Sequence, residues 1–170
     1  MLRYIDGTTY KFDDLQYYIQ VPALTKEIGK TYPGHQKWLD TTFTEGLWNG
    51  TRGYSFAVDF NNKILFPYGS SLDRVSTYKL AGCSLLKNTP EEKKICCLFI
   101  DPYYRQRGIA SQLIRNSFNI LQTDRPLITV SENNLPMLEP LLKKFQFELT
   151  SVQESVYRHG VKEYYYNQGR

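Results

Sequence analysis

Seven residues, Tyr104-Arg105-Gln106-Arg107-Gly108-Ile109-Ala110, carry the spacing best suited to chemistry in this chain. A β-type run, Lys94-Ile95-Cys96-Cys97-Leu98-Phe99-Ile100, and the turn dipeptide Asp101-Pro102 precede them. An amphipathic helix from Ser111 to Leu121 follows. A strand, a basic turn containing Gly and a helix N-terminus together make a site for phosphate. The free N–H groups of the first helical turn point outward, and the helix dipole adds positive potential there. Gly108 lets the backbone come close to an anion. Of the nearby cations, Arg105 and Arg107 lie in the turn, and Arg115 and Arg125 read as solvated surface charges.

The pattern of Arg or Gln, two residues, Gly, one residue, then Gly or Ala resembles the acyl-CoA signature of the GCN5-related N-acetyltransferase superfamily. Arg105, Gly108 and Ala110 fill it here. The resemblance is densest from Lys79 to Phe147. There Leu-Leu-Lys-Lys-Phe-Gln-Phe, residues 141–147, is similar to the family's "helix then Gly-Phe" ending, with Gln146 at the usual Gly. It implies a mixed α/β fold over 1–170 as one domain. The central sheet is then mostly antiparallel and splayed at a cofactor cleft, with about four helices. It implies a transferase that moves an acetyl group from acetyl-CoA to an amine by direct attack. The backbone of Leu98, Phe99 and Ile100 would pair with the pantetheine arm. The N–H groups of Gln106, Arg107, Gly108, Ile109, Ala110 and Ser111 would hold the pyrophosphate, with the side chains of Arg105 and Arg107. One N–H near Phe99 would stabilise the oxyanion.

The proton-transfer groups do not carry over. The family's thiolate-protonating Tyr aligns, from Phe147, with Leu142, and no Tyr lies between Asp124 and Gln153. Three other residues are candidates. Ser131 and Glu132 end the strand after the signature helix; Glu132 could accept the amine proton and Ser131 could donate to the thiolate. Alternatively, Ser131 and Asn133 cap the next helix. Tyr157, with Tyr164, Tyr165 and Tyr166, lies in the last hairpin and could reach the site, or serve packing or an interface.

The elements that must position these groups are read from periodicity. A short strand falls within residues 1–10. Phe12 to Ile28 reads as a helix that Pro22 breaks or kinks. Pro33-Gly34 is a break, and His35 to Leu47 is a second helix. Tyr54 to Phe60 alternates as a strand, and Asn61-Asn62 marks a turn. Residues 61–76 read mainly as loop, with a short strand at Ile64-Leu65-Phe66. Strands follow at Tyr78–Lys87 and Lys93–Ile100. After the signature helix come a strand at Pro126–Ser131 and a helix from Leu135 or Pro136 to Phe145, with Pro140 in or near its first turn. A long strand, Phe147–Tyr157, turns at His159-Gly160 and returns over Val161–Asn167.

Composition narrows the function classes. With 21 basic and 17 acidic residues the net charge is +4, which suits a polyanionic cofactor without signalling nucleic acid. A tRNA-borne or protein-borne amine is still admitted as acceptor. There is no helix-turn-helix, zinc or RNA-recognition signature. No apolar run approaches the length of a membrane span, and the charged N-terminus lacks a signal-peptide core, so no membrane partner is expected. Cys83, Cys96 and Cys97 sit in strand-like runs and read as reduced thiols of a cytoplasmic protein. His35 and His159 lack ligand spacing, so no metal is expected. The aromatic hairpin edge is a candidate homodimer surface. A non-catalytic acyl-CoA-binding module is the rival reading, motivated by Leu142.

Overall fold

The strand-forming runs meet in one seven-stranded sheet of order β1-β2-β3-β4-β5-β7-β6, its central strands buried on both faces. The computed structural model describes residues 1–67 and 74–169. The strands are β1 (Leu2–Gly7), β2 (Arg52–Pro67), β3 (Arg74–Asn88), β4 (Lys93–Ile100), β5 (Leu127–Ser131), β6 (Leu149–Glu154) and β7 (Lys162–Tyr166). All neighbours pair antiparallel except β4 and β5, which run parallel.

That parallel contact is the feature that shapes the molecule. It consists of two residue pairs, Lys94 with Leu127 and Ile95 with Ile128. From Cys97 to Ile100, β4 remains paired with β3 while β5 has turned away. A β-bulge lies at the parting. Leu85 and Leu86 are consecutive on β3 but face Cys97 and Ile95, so Cys96 is the extra residue. A bulge bends its strand and raises the local twist, and here it sits where the sheet opens.

One helix covers each side of the opening. α6 (Ile109–Leu121) follows β4, and α7 (Leu135–Lys144) follows β5. Leu113, Ile114 and Leu121 of α6 are buried to within 1% exposure. Each such side chain contributes roughly 1.5–3 kcal/mol on burial. Ile114 and Leu121 pack with Ile95, Ile128, Val130, Leu142 and Phe147 in one core, so α6 and α7 close the same face of the sheet. The opposite face of β2–β4 carries a second core with Tyr17, Leu39, Phe43 and Phe56.

The N-terminal helical region, expected over Phe12–Ile28 with a break or kink at Pro22, is broken there and divided further. It is a set of short turns: α1 (Leu15–Tyr18), α2 (Val21–Leu24) and α3 (Ile28–Thr31). Pro22 stands in the first turn of α2, where its missing N–H costs nothing, and it excludes a continuous helix through that point. After Gly34, at φ +90°, helical structure runs from α4 (His35–Trp38) through a π-turn at Leu39–Phe43 into α5 (Thr44–Trp48). Asn61-Asn62 does not end a strand. β2 continues past it to Pro67, with a register shift between Asp59 and Lys63 that absorbs the extra residues. Most of the loop expected over 61–76 is therefore strand, and its residues 68–73 lie outside the described ones. Pro140 lies inside α7, beyond the first turn, where Pro136 already stands. β6 is shorter than expected and begins after Phe147. Gly160, at φ +71°, makes the turn that leads back to β7.

Candidate active site

The opening between β4 and β5 is a cleft of about 530 Å3. Its floor is Ile95–Phe99 of β4 and Ile128–Val130 of β5. Tyr32, Pro33, Gly34, His35 and Trp38 wall one side, and Asn134, Met137 and Leu138 wall the other. Tyr157, from the turn between β6 and β7, leans in against Tyr32, with ring centroids 5.2 Å apart and planes at 76°.

At the far end of β4 the chain makes one short turn, Pro102–Tyr104, and enters α6. Asp101 accepts from the N–H of Tyr103 at 2.9 Å and fixes that turn. Tyr104 is buried and donates to Asp59 at 3.0 Å. The turn is therefore tied to β2, and residues 105–108 are left exposed. Gly108 is the residue before the helix, at φ +77°, and no side chain caps the helix start. The N–H of Gln112 reaches Gly108 O at 3.1 Å. The N–H groups of Ile109, Ala110 and Ser111 thus precede the first intrahelical bond.

Two of the cations expected here are held by local contacts. Arg105 donates from Nε to Ile100 O at 3.3 Å, its guanidinium 5.9 Å from the Phe99 ring centre, and it lines the cleft. Arg107 donates to Tyr103 O at 3.2 Å and lies over the rings of Tyr103 and Tyr104. A third cation was not legible in the sequence. Lys144 at the end of α7 donates to Ser111 Oγ at 3.1 Å, which brings its charge to the first turn of α6. The two residues are 33 positions apart, and no local pattern links them.

The three proton-transfer candidates fall in different places. Tyr157 lines the cleft, and burial raises its phenol pKa. Ser131 is fully buried and does not line the cleft. Glu132 does not line it either. Its N–H donates to Lys162 O at 2.9 Å and its Oε1 accepts from the N–H of Lys162 at 3.3 Å, so it closes the start of β7. Leu142 is 3% exposed and packs in the core beneath α7.

Two polar groups of the cleft had no sequence signal. His35 Nε2 lies 2.9 Å from Thr25 Oγ1, and that hydroxyl spends its proton on Val21 O at 2.8 Å. Thr25 therefore accepts from the ring, so Nε2 carries the hydrogen and Nδ1 is the basic nitrogen. Burial lowers the His35 pKa, which keeps the ring neutral at pH 7. Tyr32 donates to Glu163 Oε2 at 3.1 Å and accepts from the N–H of Ser131 at 3.1 Å. The bonded residues are 131 and 99 positions apart, which hid them from any local reading.

A second cavity, of about 450 Å3, lies beside the first and shares Glu27, Phe99 and Arg105 with it. The ion pair of Lys79 with Asp101, at 3.2 Å, stands at its edge. Cys96 and Cys97 both line the first cleft, and Cys83 and Cys97 are buried. Among the described residues no group of His, Cys, Asp and Glu is arranged to hold a metal ion. Among them no helix is long and apolar enough to cross a membrane.

No protein-family model and no curated protein matches the sequence. Solved structures match it across nearly its full length. NAA60 of Arabidopsis thaliana, in complex with acetyl-CoA, superposes with a TM-score of 0.63 at 16% identity, over 98% of this chain and 97% of that one. A GNAT-family acetyltransferase of Bacillus cereus gives 0.62 at 14%, over 98% and 95%. An acetyltransferase assigned to the same family from Desulfovibrio desulfuricans gives 0.60 at 13%, over 98% and 97%. The chain has the GNAT fold, mixed α/β with a mostly antiparallel sheet.

Proposed function

We propose that this chain, built on the GNAT fold, is an N-acetyltransferase that moves an acetyl group from acetyl-CoA to an amine. The carrying observation is the parting of β4 from β5 after two residue pairs, with an uncapped helix start at Gly108 beyond it. The opening exposes a strand edge that an amide-bearing arm can pair with. The helix start offers N–H groups and positive potential to a pyrophosphate. Residues Gln106 to Ser111 would hold that group, with Arg105, Arg107 and Lys144 around it. Leu98, Phe99 and Ile100 would hold the arm through their backbone.

The acceptor nitrogen attacks the thioester carbon, the C–N bond forms, and the C–S bond breaks with its electrons on sulfur. One N–H near Phe99 would stabilise the oxyanion. Tyr157, in the cleft wall, would give the departing thiolate its proton and recover one from solvent. Ser131 and Glu132 are the alternatives, and both need a rearrangement of the β5–β7 contact to reach the cleft.

Calorimetric titration with acetyl-CoA, followed by thiol release across an amine panel, tests the proposal. Micromolar binding with turnover on a subset of amines is expected. No binding at millimolar acetyl-CoA would refute it. A second reading, a non-catalytic acyl-CoA-binding module, is favoured by Leu142 at the family's acid position. It predicts binding with no thiol release from any amine.

A further inference from the structure

Glu163 stands on β7 opposite Ser131 of β5 and is 1% exposed. A buried carboxylate is costly unless its oxygens are met by donors or by charge. Oε2 receives the Tyr32 hydroxyl at 3.1 Å. Lys94 of β4 and Arg158 of the hairpin act on the carboxyl from one sign, and Glu132 from the other. Tyr157 and Tyr165 also face it. Burial outweighs these charges and raises the Glu163 pKa. The same burial pushes the Tyr32 phenol up, so it stays protonated at neutral pH.

Tyr32 lines the cleft, and Glu163 stands behind it. The phenol oxygen donates to Glu163 and accepts one N–H, from Ser131. A phenolic oxygen can accept a second donor. The Ser131 hydroxyl is buried and has no hydrogen bond of full geometry, although it lies close enough to Tyr32 to lower its pKa.

We propose that Tyr32 and Glu163 form the exit path for the proton of the acceptor nitrogen. The inference rests on the acetyltransferase reading above. As the C–N bond forms, an N–H of the attacking amine, which enters as its neutral free base, passes its proton to the Tyr32 oxygen. The Tyr32 hydroxyl passes its own proton to Glu163 Oε2. The C–S electrons leave on sulfur, and the thiolate is protonated separately, from Tyr157. Glu163 returns its proton to solvent after product release, so no proton is gained or lost over the cycle. Tyr32 is the catalytic residue in this path, and Glu163 is the sink behind it.

The full chain and its Tyr32→Phe, Glu163→Gln and Glu163→Asp variants test the path. Gln keeps an acceptor for the Tyr32 hydroxyl, so the fold is retained. The acceptor probes are primary alkylamines from methylamine to hexylamine. Tyr32→Phe and Glu163→Gln should each lower kcat at least tenfold, with acetyl-CoA affinity within twofold of the parent. The double variant should be no slower than the slower single one. The parent kcat, at saturating free-base amine, should rise with pH through the Glu163 titration, Glu163→Gln should lose that limb, and Glu163→Asp should keep it. Variants within threefold of the parent that keep the limb would overturn the path. Carboxyl-labelled protein loaded with CoA supplies a readout free of turnover. Butylamine should shift the Glu163 titration in the parent and not in Tyr32→Phe; no shift in the parent would overturn the path. Failure to bind acetyl-CoA would instead refute the acetyltransferase reading.

Discussion

Gly108 offers a charge test of the helix start. It sits at φ +77°, and a Cβ built on it meets no atom within 4 Å. Gly108→Ala therefore costs left-handed strain of about 1–2 kcal/mol and no clash. Gly108→Asp carries similar or smaller strain, because Asp tolerates that conformation better. Its carboxylate also lies favourably at a helix N-terminus, by roughly 0.3–1 kcal/mol. Stability should thus be equal to or higher than that of Gly108→Ala. Ligand binding should move the other way. Two phosphate charges held ~6 Å from the Asp carboxylate repel it by about 1.4 kcal/mol even at the dielectric of water. That corresponds to about tenfold in Kd, and a partly desolvated site raises it. Calorimetric titration of both variants with CoA at low salt measures the ratio. The gap should narrow at about 0.5 M salt, where charges are screened within a few ångströms. A Gly108→Asp variant that binds CoA within twofold of Gly108→Ala would show that no anion sits at this turn.

Four further outcomes follow from the packing. Gly82→Ala should destabilise the fold by at least ~2 kcal/mol and weaken CoA binding, read by urea unfolding and calorimetry. Its Cβ would stand 2.8 Å from Ile100 Cδ1 and 3.0 Å from Phe99 O, in the cleft floor. Tyr54→Phe removes a hydroxyl that donates to the buried Asp14 at 2.5 Å; a loss of about 1–3 kcal/mol should lower Tm by about 3–10 °C while CoA affinity stays unchanged. Cys96, its thiol pushed up to about 11 by burial, should react with iodoacetamide at pH 8 more than about a hundredfold slower than a free thiol, and mass spectrometry of timed samples measures this. The raised Glu163 pKa contributes stability below the ordinary 4.5, and that stability is lost as pH rises through the folded value. Glu163→Gln should therefore gain on the parent in urea midpoint as pH rises above about 4.5.

The elements nearest the proposed anion site were legible because each carries a simple local signal. β4 is a short apolar run closed by Asp101-Pro102, α6 repeats every three to four residues, and Gly108 stands between them with the positive φ only Gly adopts readily. The N-terminal region was harder for a physical reason. Pro22 and the Pro33-Gly34 step marked breaks, but the pieces around them are turns of four residues, held by tertiary packing rather than by helix propensity. Asn61-Asn62 misled because residues that favour a hairpin turn also suit the irregular register shift between Asp59 and Lys63. In the site, backbone features were visible and side-chain partnerships were not. Ser131 and Glu132 pointed to the open end of β5, yet the group bonded there, Tyr32, comes from a corner 99 residues upstream. Trp48, an aromatic at the end of an apolar helical run, is 69% exposed and stacked on Tyr10.

The two-pair contact between β4 and β5 has a consequence for the lifetime of the protein. β1–β4 form one continuous ladder and β5, β7 and β6 another, so the sheet is short of a strand where the two meet. A ligand that lays an extended amide chain into that gap acts as a surrogate strand and supplies the missing rungs. Its occupancy then stiffens the seam between the ladders. At a concentration a hundred times its Kd, such a ligand adds about 2.7 kcal/mol to the folded state. Resistance to proteolysis would then track the supply of that ligand, and the molecule would persist longest where such a ligand is abundant.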